Sequence, residues 1–325
     1  MVDAQGMRGA IEAMASHLRE GDAIGREAGR RLTPPTAVVI AGMGGSAMSG
    51  ELLRGLVIAD CDVPVTRVRG FGVPKWAGKG TLVVCSSYSG DTAETLSCAD
   101  QAHGQGAELL CVGMGGALGE RAESWDAAFA RVPGGLQQRA ALGYLFGAMA
   151  GAFAACGLAV EGMAEQCARG VEGVDREAAG ALGERMVGTV PLVYGAGPLA
   201  AVAYRWKTQL NENAKMHAFS HAFPELGHNE IVAWEGAAAE RFAAVVLRDR
   251  DELPQMRRMI EIASELIEPD AAFIEHVWGV GDTPAARAFS TVAYGDWVSY
   301  HAALTRGVDP TPVERIGMLK QRQAQ

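Results

Sequence analysis

The chain has no basic stripe. Its 325 residues carry 29 Lys and Arg against 38 Asp and Glu, a net charge of −9, so no stretch is expected to neutralise a nucleic-acid backbone. It has no long apolar run near its start. Residues 1–31 are rich in charge, which argues against a signal peptide and a membrane anchor. It has no Cys-x-x-Cys pair. The six cysteines (Cys61, Cys85, Cys98, Cys111, Cys156 and Cys167) lie mostly in apolar runs, so buried free thiols in a reducing, cytoplasmic setting are expected rather than disulfides or a zinc site. No Walker lysine follows a glycine cluster, and Gly42-Met43-Gly44-Gly45-Ser46 does not complete Gly-x-Gly-x-x-Gly, because Ala47 holds the last place. His217, His221, Glu225 and His228 offer a metal reading. Ala218 stands where a zincin needs glutamate, however, and no metal or other cofactor is expected.

What the chain does have is two hydroxyl-rich turns. Gly42-Met43-Gly44-Gly45-Ser46 and Ser86-Ser87-Tyr88-Ser89-Gly90-Asp91-Thr92 each follow an apolar strand-like run and lead into a helix-like stretch. Glycines let the backbone approach an anion, hydroxyls donate to its oxygens, and a helix N-terminus adds unpaired N–H groups and the positive end of its dipole. Two such turns suggest a phosphorylated small molecule.

The length allows two domains of ordinary size. Ala4 to Arg31 reads as a helix, broken at Pro34-Pro35. Strands follow at residues 36–41, 81–85 and 108–112, with helices at about 47–58 and 92–103. Strands alternating with helices imply a parallel sheet covered on both faces, and short continuous runs such as Leu82-Val83-Val84 suit strands buried on both sides. After Pro133-Gly134-Gly135, a long apolar helix from about Arg139 to Cys156 closes the first domain, residues 1–156. Residues 157–188 read as a helical connector. The second domain, residues 157–325, repeats the alternation: strands at 191–194, 242–247 and 272–277, helices at about 199–211, 253–266 and 283–304. The fold class is therefore α/β, with two parallel sheets flanked by helices in three layers.

The second half concentrates polar groups in Asn211-Glu212-Asn213-Ala214-Lys215 and Pro224-Glu225-Leu226-Gly227-His228-Asn229-Glu230. Carboxylates, amides, a lysine and a histidine are costly to bury at this density, which marks a candidate site. Together with the two turns and Arg205-Trp206-Lys207-Thr208-Gln209-Leu210, these segments resemble the bifunctional phosphoglucose/phosphomannose isomerase family, built from two sugar isomerase (SIS) domains. The likeness runs from about Thr36 to Lys320.

The resemblance implies a homodimer with a shared active site and a hexose 6-phosphate substrate. Gly45, Ser46, Ser87, Ser89 and Thr92 would hold the phosphate, Glu212 would be the base, and His228, from the partner subunit, would assist ring opening. Arg139 matches the arginine that stabilises the enediolate, and Lys320 matches a C-terminal lysine of the site. These residue types suit the chemistry. A partly buried carboxylate with a raised pKa can carry a proton between C2 and C1, a histidine titrating near neutrality can open the ring, and a cation stabilises charge that develops near the transition state. The chain departs from the family pattern at Gln138, Gly227 and Asp91. Asp91, beside a phosphate turn, is expected to cap a helix by turning towards backbone N–H groups. The alternative function is a non-catalytic sugar-phosphate sensor that keeps the cradle without turnover.

Overall fold

The computed structural model describes residues 2–236 and 241–323. These form two compact units. One comprises Glu12–Gly173 and Val280–Ser290; the other comprises Met1–Ile11, Val174–Gly279 and Thr291–Gln325.

The N-terminal helix expected over Ala4 to Arg31 is two helices, α1 (Met7–Glu12) and α2 (Met14–Gly29), parted at Ala13. In the first unit, β1 (Ala37–Gly42), α3 (Gly44–Val57), β2 (Val65–Val68), β3 (Thr81–Ser86), α4 (Ala93–Gly104), β4 (Glu108–Gly113), α5 (Gly116–Ser124) and β5 (Ala128–Arg131) follow in order. The sheet is wholly parallel, with strand order β2-β1-β3-β4-β5. Val39, Val83, Cys85, Leu109 and Cys111 project from one face into a core closed by Ala99 and Ala102 of α4 and Leu118 and Ala122 of α5. On the other face Gly50 of α3 sits against Ile40. Burial on both faces explains the unbroken apolar runs of the central strands.

Behind this sheet, α2 packs along α6 (Leu142–Ala155), and α7 (Met163–Glu172) packs against both. The α2–α6 contact is made by facing glycines four residues apart. A Cβ on Gly25 would lie 1.9 Å from the Ala148 carbonyl oxygen, and one on Gly151 would lie 2.2 Å from the Asp22 carbonyl oxygen. Main chain therefore packs directly on main chain, and side chains at these positions would force the helices apart. The apolar helix expected from Arg139 begins three residues later, at Leu142.

The second unit holds α8 (Arg176–Met186), β6 (Val190–Ala196), α9 (Pro198–Glu212), β7 (Phe219–Phe223), β8 (Phe242–Arg248), α10 (Pro254–Ile267) and β9 (Phe273–Trp278). Two short 3₁₀ segments, Glu225–His228 and Glu230–Glu235, follow β7. The C-terminal helices are α11 (Pro284–Thr305) and α12 (Glu314–Gln323). This second sheet is also parallel, ordered β7-β6-β8-β9. One face packs on α9; the other carries Tyr194, Ala244 and Val246 against Trp234, Ile260, Ala263 and Ile267. Each unit is thus an α/β three-layer structure. In each, the first strand of the sheet meets neighbours reached by different crossovers on its two sides, an arrangement that opens a crevice at the carboxyl ends of the strands.

Candidate active site

The two hydroxyl-rich turns stand side by side at such a crevice. β1 and β3 are hydrogen-bonded neighbours, and their register pairs Gly42 with Ser86, so both turns leave the same edge of the sheet. They are also tied to each other, since the Ser46 hydroxyl accepts from the Tyr88 N–H at 3.0 Å. Ser46 is 5% exposed and lies in the first turn of α3.

Within the second turn the Ser87 hydroxyl donates to Thr92 Oγ1 at 2.9 Å and accepts from the Gly90 N–H at 3.1 Å. Ser89 Oγ accepts from the Asp91 N–H at 3.3 Å. Ser86 remains inside the strand, fully buried, and its hydroxyl has no hydrogen-bond partner among the described residues. Gly90 is held at φ +83°, and a Cβ there would lie 1.9 Å from the Gly115 carbonyl oxygen. Asp91 is indeed a cap, but of a different helix from the one that begins beside it: its Oδ1 accepts from the Ala117 N–H at 2.9 Å, in the first turn of α5. The extra carboxylate is thereby committed to a helix N-terminus, where negative charge is favourable.

Arg139 reaches this crevice through a loop rather than a helix. The ring of Tyr88, 3% exposed, carries a hydroxyl that donates to the Pro133 carbonyl at 3.0 Å and accepts from the Leu136 N–H at 3.1 Å, pinning the 133–136 segment. The chain then passes so close to the first turn that a Cβ on Gly45 would lie 2.9 Å from the Gln138 carbonyl oxygen and 3.2 Å from Arg139 Cα. Arg139 itself is 4% exposed. The structure therefore brings Gly45, Ser46, Ser87, Ser89, Thr92 and Arg139 into one unit around paired turns. Tyr88, which links the two turns and the loop, was not among the residues singled out from sequence. Its only sign there was an aromatic ring set between serines.

In the second unit Glu212 is the last residue of α9, half-buried, on the wall of a cleft of about 930 Å³. Lys207, Asn211, Lys215, His217, Asp309 and Pro312 share that wall. The polar residues around Glu212 are held by other parts of the fold. Arg205 donates to both oxygens of Asp296, at 3.0 and 2.6 Å, and Gln209 adds a bond to Asp296 at 3.1 Å. Asn213 donates to Ser299 Oγ at 2.9 Å and Asn211 to the Met216 carbonyl at 2.8 Å. Lys215 Nζ donates to the carbonyls of Glu212 and Pro310, bracing the end of α9 against the segment that precedes α12.

His228 ends the first 3₁₀ segment after β7 and is exposed. It does not line the cleft that Glu212 lines. Its loop is fixed from beneath by fully buried Leu226, by Asn229 donating to Glu225 at 3.0 Å, and by Glu230 accepting from the Tyr194 hydroxyl at 2.7 Å. Burial and the neighbouring Glu230 carboxylate push the Tyr194 phenol well above its usual range. Lys320 falls within α12, and its side chain lies outside the described residues.

The four residues of the metal reading are not assembled. His217 precedes β7 and His221 lies within it, so the four-residue spacing runs along an extended chain instead of one helical face. Among the described residues no three His, Cys, Asp or Glu side chains converge in a metal-holding group. None of the described helices is long and apolar enough to cross a membrane. Of the six cysteines, five are buried and Cys61 is half-buried; all are free thiols.

Comparison with known proteins places these features in context. Residues 175–322 match the family model described as the bacterial phospho-glucose isomerase C-terminal SIS domain. The chain is 35% identical over 304 residues to a bifunctional phosphoglucose/phosphomannose isomerase of Caldicellulosiruptor bescii, covering 89% of each chain. It is 34% identical over 301 residues to the protein of the same name from Thermoplasma acidophilum, covering 88% of this chain and 89% of that one. Its fold resembles the crystal structure of tagatose-6-phosphate ketose/aldose isomerase from Escherichia coli, with a TM-score of 0.70 at 16% identity, covering 94% and 92% of the two chains.

Proposed function

The chain belongs to the bifunctional phosphoglucose/phosphomannose isomerase family, and from its membership among these sugar-phosphate isomerases we propose that it interconverts fructose 6-phosphate with glucose 6-phosphate and mannose 6-phosphate through a cis-enediol, with Glu212 as the base. The observation that carries this reading is the division of labour on α9. Arg205, Gln209 and Asn213 are bonded to the body of their own unit, while Glu212, between Gln209 and Asn213, lines a cleft of about 930 Å³.

In the open-chain aldose the base removes the proton on C2 and the electron pair moves towards the C1 carbonyl oxygen, giving an enediolate. A proton shifts from the C2 hydroxyl to the C1 oxygen, and Glu212 returns its proton to C1, leaving the carbonyl at C2. Arg139 stabilises the enediolate oxygen, whose charge exists only near the transition state. The phosphate is held by the paired turns, with the Gly45 and Ser46 N–H groups at the start of α3 and the hydroxyls of Ser46, Ser89 and Thr92 as donors, Ser87 orienting Thr92 through the bond it donates to Thr92 Oγ1. His228 moves a proton from the anomeric hydroxyl to the ring oxygen when the ring opens. Its exposure on a rigid loop suits a group offered across the interface of a homodimer, and Lys320 supplies a further cation from α12. The C2 proton of mannose 6-phosphate lies on the opposite face, so one base serves both aldoses when the open chain rotates about the C2–C3 bond.

Glu212→Gln keeps the shape of the side chain and removes the base. Turnover of fructose 6-phosphate is expected to fall by a factor of about 10²–10⁴ with sugar-phosphate binding kept, the range that proton transfer by a placed base contributes. A Glu212→Gln enzyme with more than a tenth of the wild-type kcat would refute Glu212 as the base.

A further inference from the structure

The residues that carry polar groups along α9 fall into a pattern. Arg205, Gln209 and Asn213 are spaced four apart, so they stack on one helical face, and that face is met by α11. Asp296, 2% exposed, accepts two bonds from the Arg205 guanidinium and a third from the Gln209 amide. One turn further along α11, Ser299 accepts from Asn213 at 2.9 Å and donates to the Asp296 carbonyl at 2.8 Å. The one donor of that hydroxyl and one of its two acceptor sites are then in use, and Ser299 and Asn213 are each fully buried.

The helices are also locked by shape. Gly295 lies so near the Trp206 ring that a Cβ would come within 2.1 Å of the indole nitrogen, and that indole donates to the Thr291 carbonyl at 2.8 Å. Sliding or rolling α9 against α11 would therefore strand a buried charge and buried amides, each costly to leave unpaired. Glu212 directly precedes Asn213 at the end of this ladder.

We propose that Asp296 and Ser299 of α11, through Arg205, Gln209 and Asn213, act as positioning residues that fix the end of α9 and with it the carboxylate of Glu212 in the cleft. This rests on the reading of Glu212 as the base. The role differs from general stability. The Arg205–Asp296 pair fixes the middle of the helix, whereas the Asn213–Ser299 bond acts at the residue adjoining the base, where a displacement of about an ångström is enough to slow the chemistry substantially.

The test is Ser299→Ala in the full-length enzyme, which removes the acceptor of Asn213 and leaves the ion pair in place. With fructose 6-phosphate as substrate, kcat is expected to fall about tenfold with KM within about twofold of the wild type, as expected for a misplaced base with intact substrate binding. Ser299→Thr, which keeps the hydroxyl, is expected to restore most of kcat. Asn213→Ala is the second variant and is expected to show the same split. Wild-type kcat in both alanine variants would overturn the proposal, as would a drop in kcat matched by an equal loss of folded protein. Glu212→Gln measured alongside separates the two levels. If it retains turnover, the base assignment fails and this inference with it; if it is inactive while both alanine variants are fully active, the positioning role alone is overturned.

Discussion

Replacing Gly45 by alanine tests how the first hydroxyl-rich turn and the Arg139 loop depend on each other. The added methyl would lie 2.9 Å from the Gln138 carbonyl oxygen and 3.2 Å from both Arg139 Cα and the Gln138 carbonyl carbon. All three are main-chain atoms, so no side chain can swing aside. Relaxed contacts between non-bonded heavy atoms lie near 3.5–4.0 Å, so the turn and the loop must separate by roughly half an ångström or more. Overpacking of this kind costs about 1–3 kcal/mol, which corresponds to a fall in melting temperature of about 2–4 °C for each kcal/mol in a domain of this size. The same movement separates Arg139 from the backbone proposed to bind the phosphate. A loss of about 1.4 kcal/mol of transition-state stabilisation, or tenfold in kcat/KM for fructose 6-phosphate, is expected. Gly104→Ala is the control, because a Cβ there meets nothing within 4 Å. It is expected to change stability by less than about 0.5 kcal/mol and to leave kinetics unchanged. Calorimetry and steady-state kinetics on the two variants decide the matter, and a Gly45→Ala enzyme indistinguishable from Gly104→Ala would refute the argument.

Two further outcomes follow from buried titratable groups. Burial holds His17, His276 and His301 below the usual 6.5, with the Arg248 charge adding to the effect at His276 and the Arg8 charge at His301. The unfolded chain therefore takes up protons first on acidification, so the contribution of these groups is complete above about pH 7 and is lost as pH falls through 6.5 towards the lowered values. Denaturant titrations at pH 7.5 and 5.5 are expected to show lower stability at pH 5.5 with a smaller drop in His17→Gln, and an equal drop in that variant would contradict it. Burial also raises the thiols of Cys85, Cys98, Cys111, Cys156 and Cys167, with Cys111 pushed up to about 12. An aromatic disulfide reagent is expected to titrate one thiol of the native protein quickly, that of half-buried Cys61, and all six after denaturation; two or more fast thiols in the native protein would contradict it.

The parts of the fold that were legible in the sequence were those decided locally. β1, β3 and β4 are unbroken apolar runs, and β1 and β3 end in glycine or hydroxyl residues, so both strand and turn could be read from adjacent residues. The parts that were missed depend on partners far along the chain. β2 is only Val65-Thr66-Arg67-Val68 and β5 only Ala128-Phe129-Ala130-Arg131, short edge strands with mixed polarity that their neighbours in the sheet make regular. β7 contains Ser220 and His221 and also lies at an edge, where polar side chains face outward. α5, with Gly116 and Gly119, has weak intrinsic helix preference and is started by Asp91, 26 residues away in sequence from the N–H it caps.

The candidate site divides in the same way. Residue types identified the hydroxyl turns and Glu212, and the structure adds what sequence spacing alone did not assign: Arg205, Gln209 and Asn213 brace the helix through Asp296 and Ser299, more than 80 residues away. The density of polar groups around Glu212 is therefore mostly scaffolding. Arg139, read from sequence as a residue at a helix start, is instead buried in a loop held by Tyr88 and by the bare face of Gly45.

The proposed aldose–ketose isomerase activity, with both glucose and mannose 6-phosphates as products, is tested by supplying fructose 6-phosphate to the wild-type protein with chelator present. The two aldose phosphates are followed separately. Both are expected to form, at rates unchanged by chelation, since the proposed proton transfers run between side chains and the substrate's own oxygens and carbons. A folded protein that binds fructose 6-phosphate and forms neither product would contradict it.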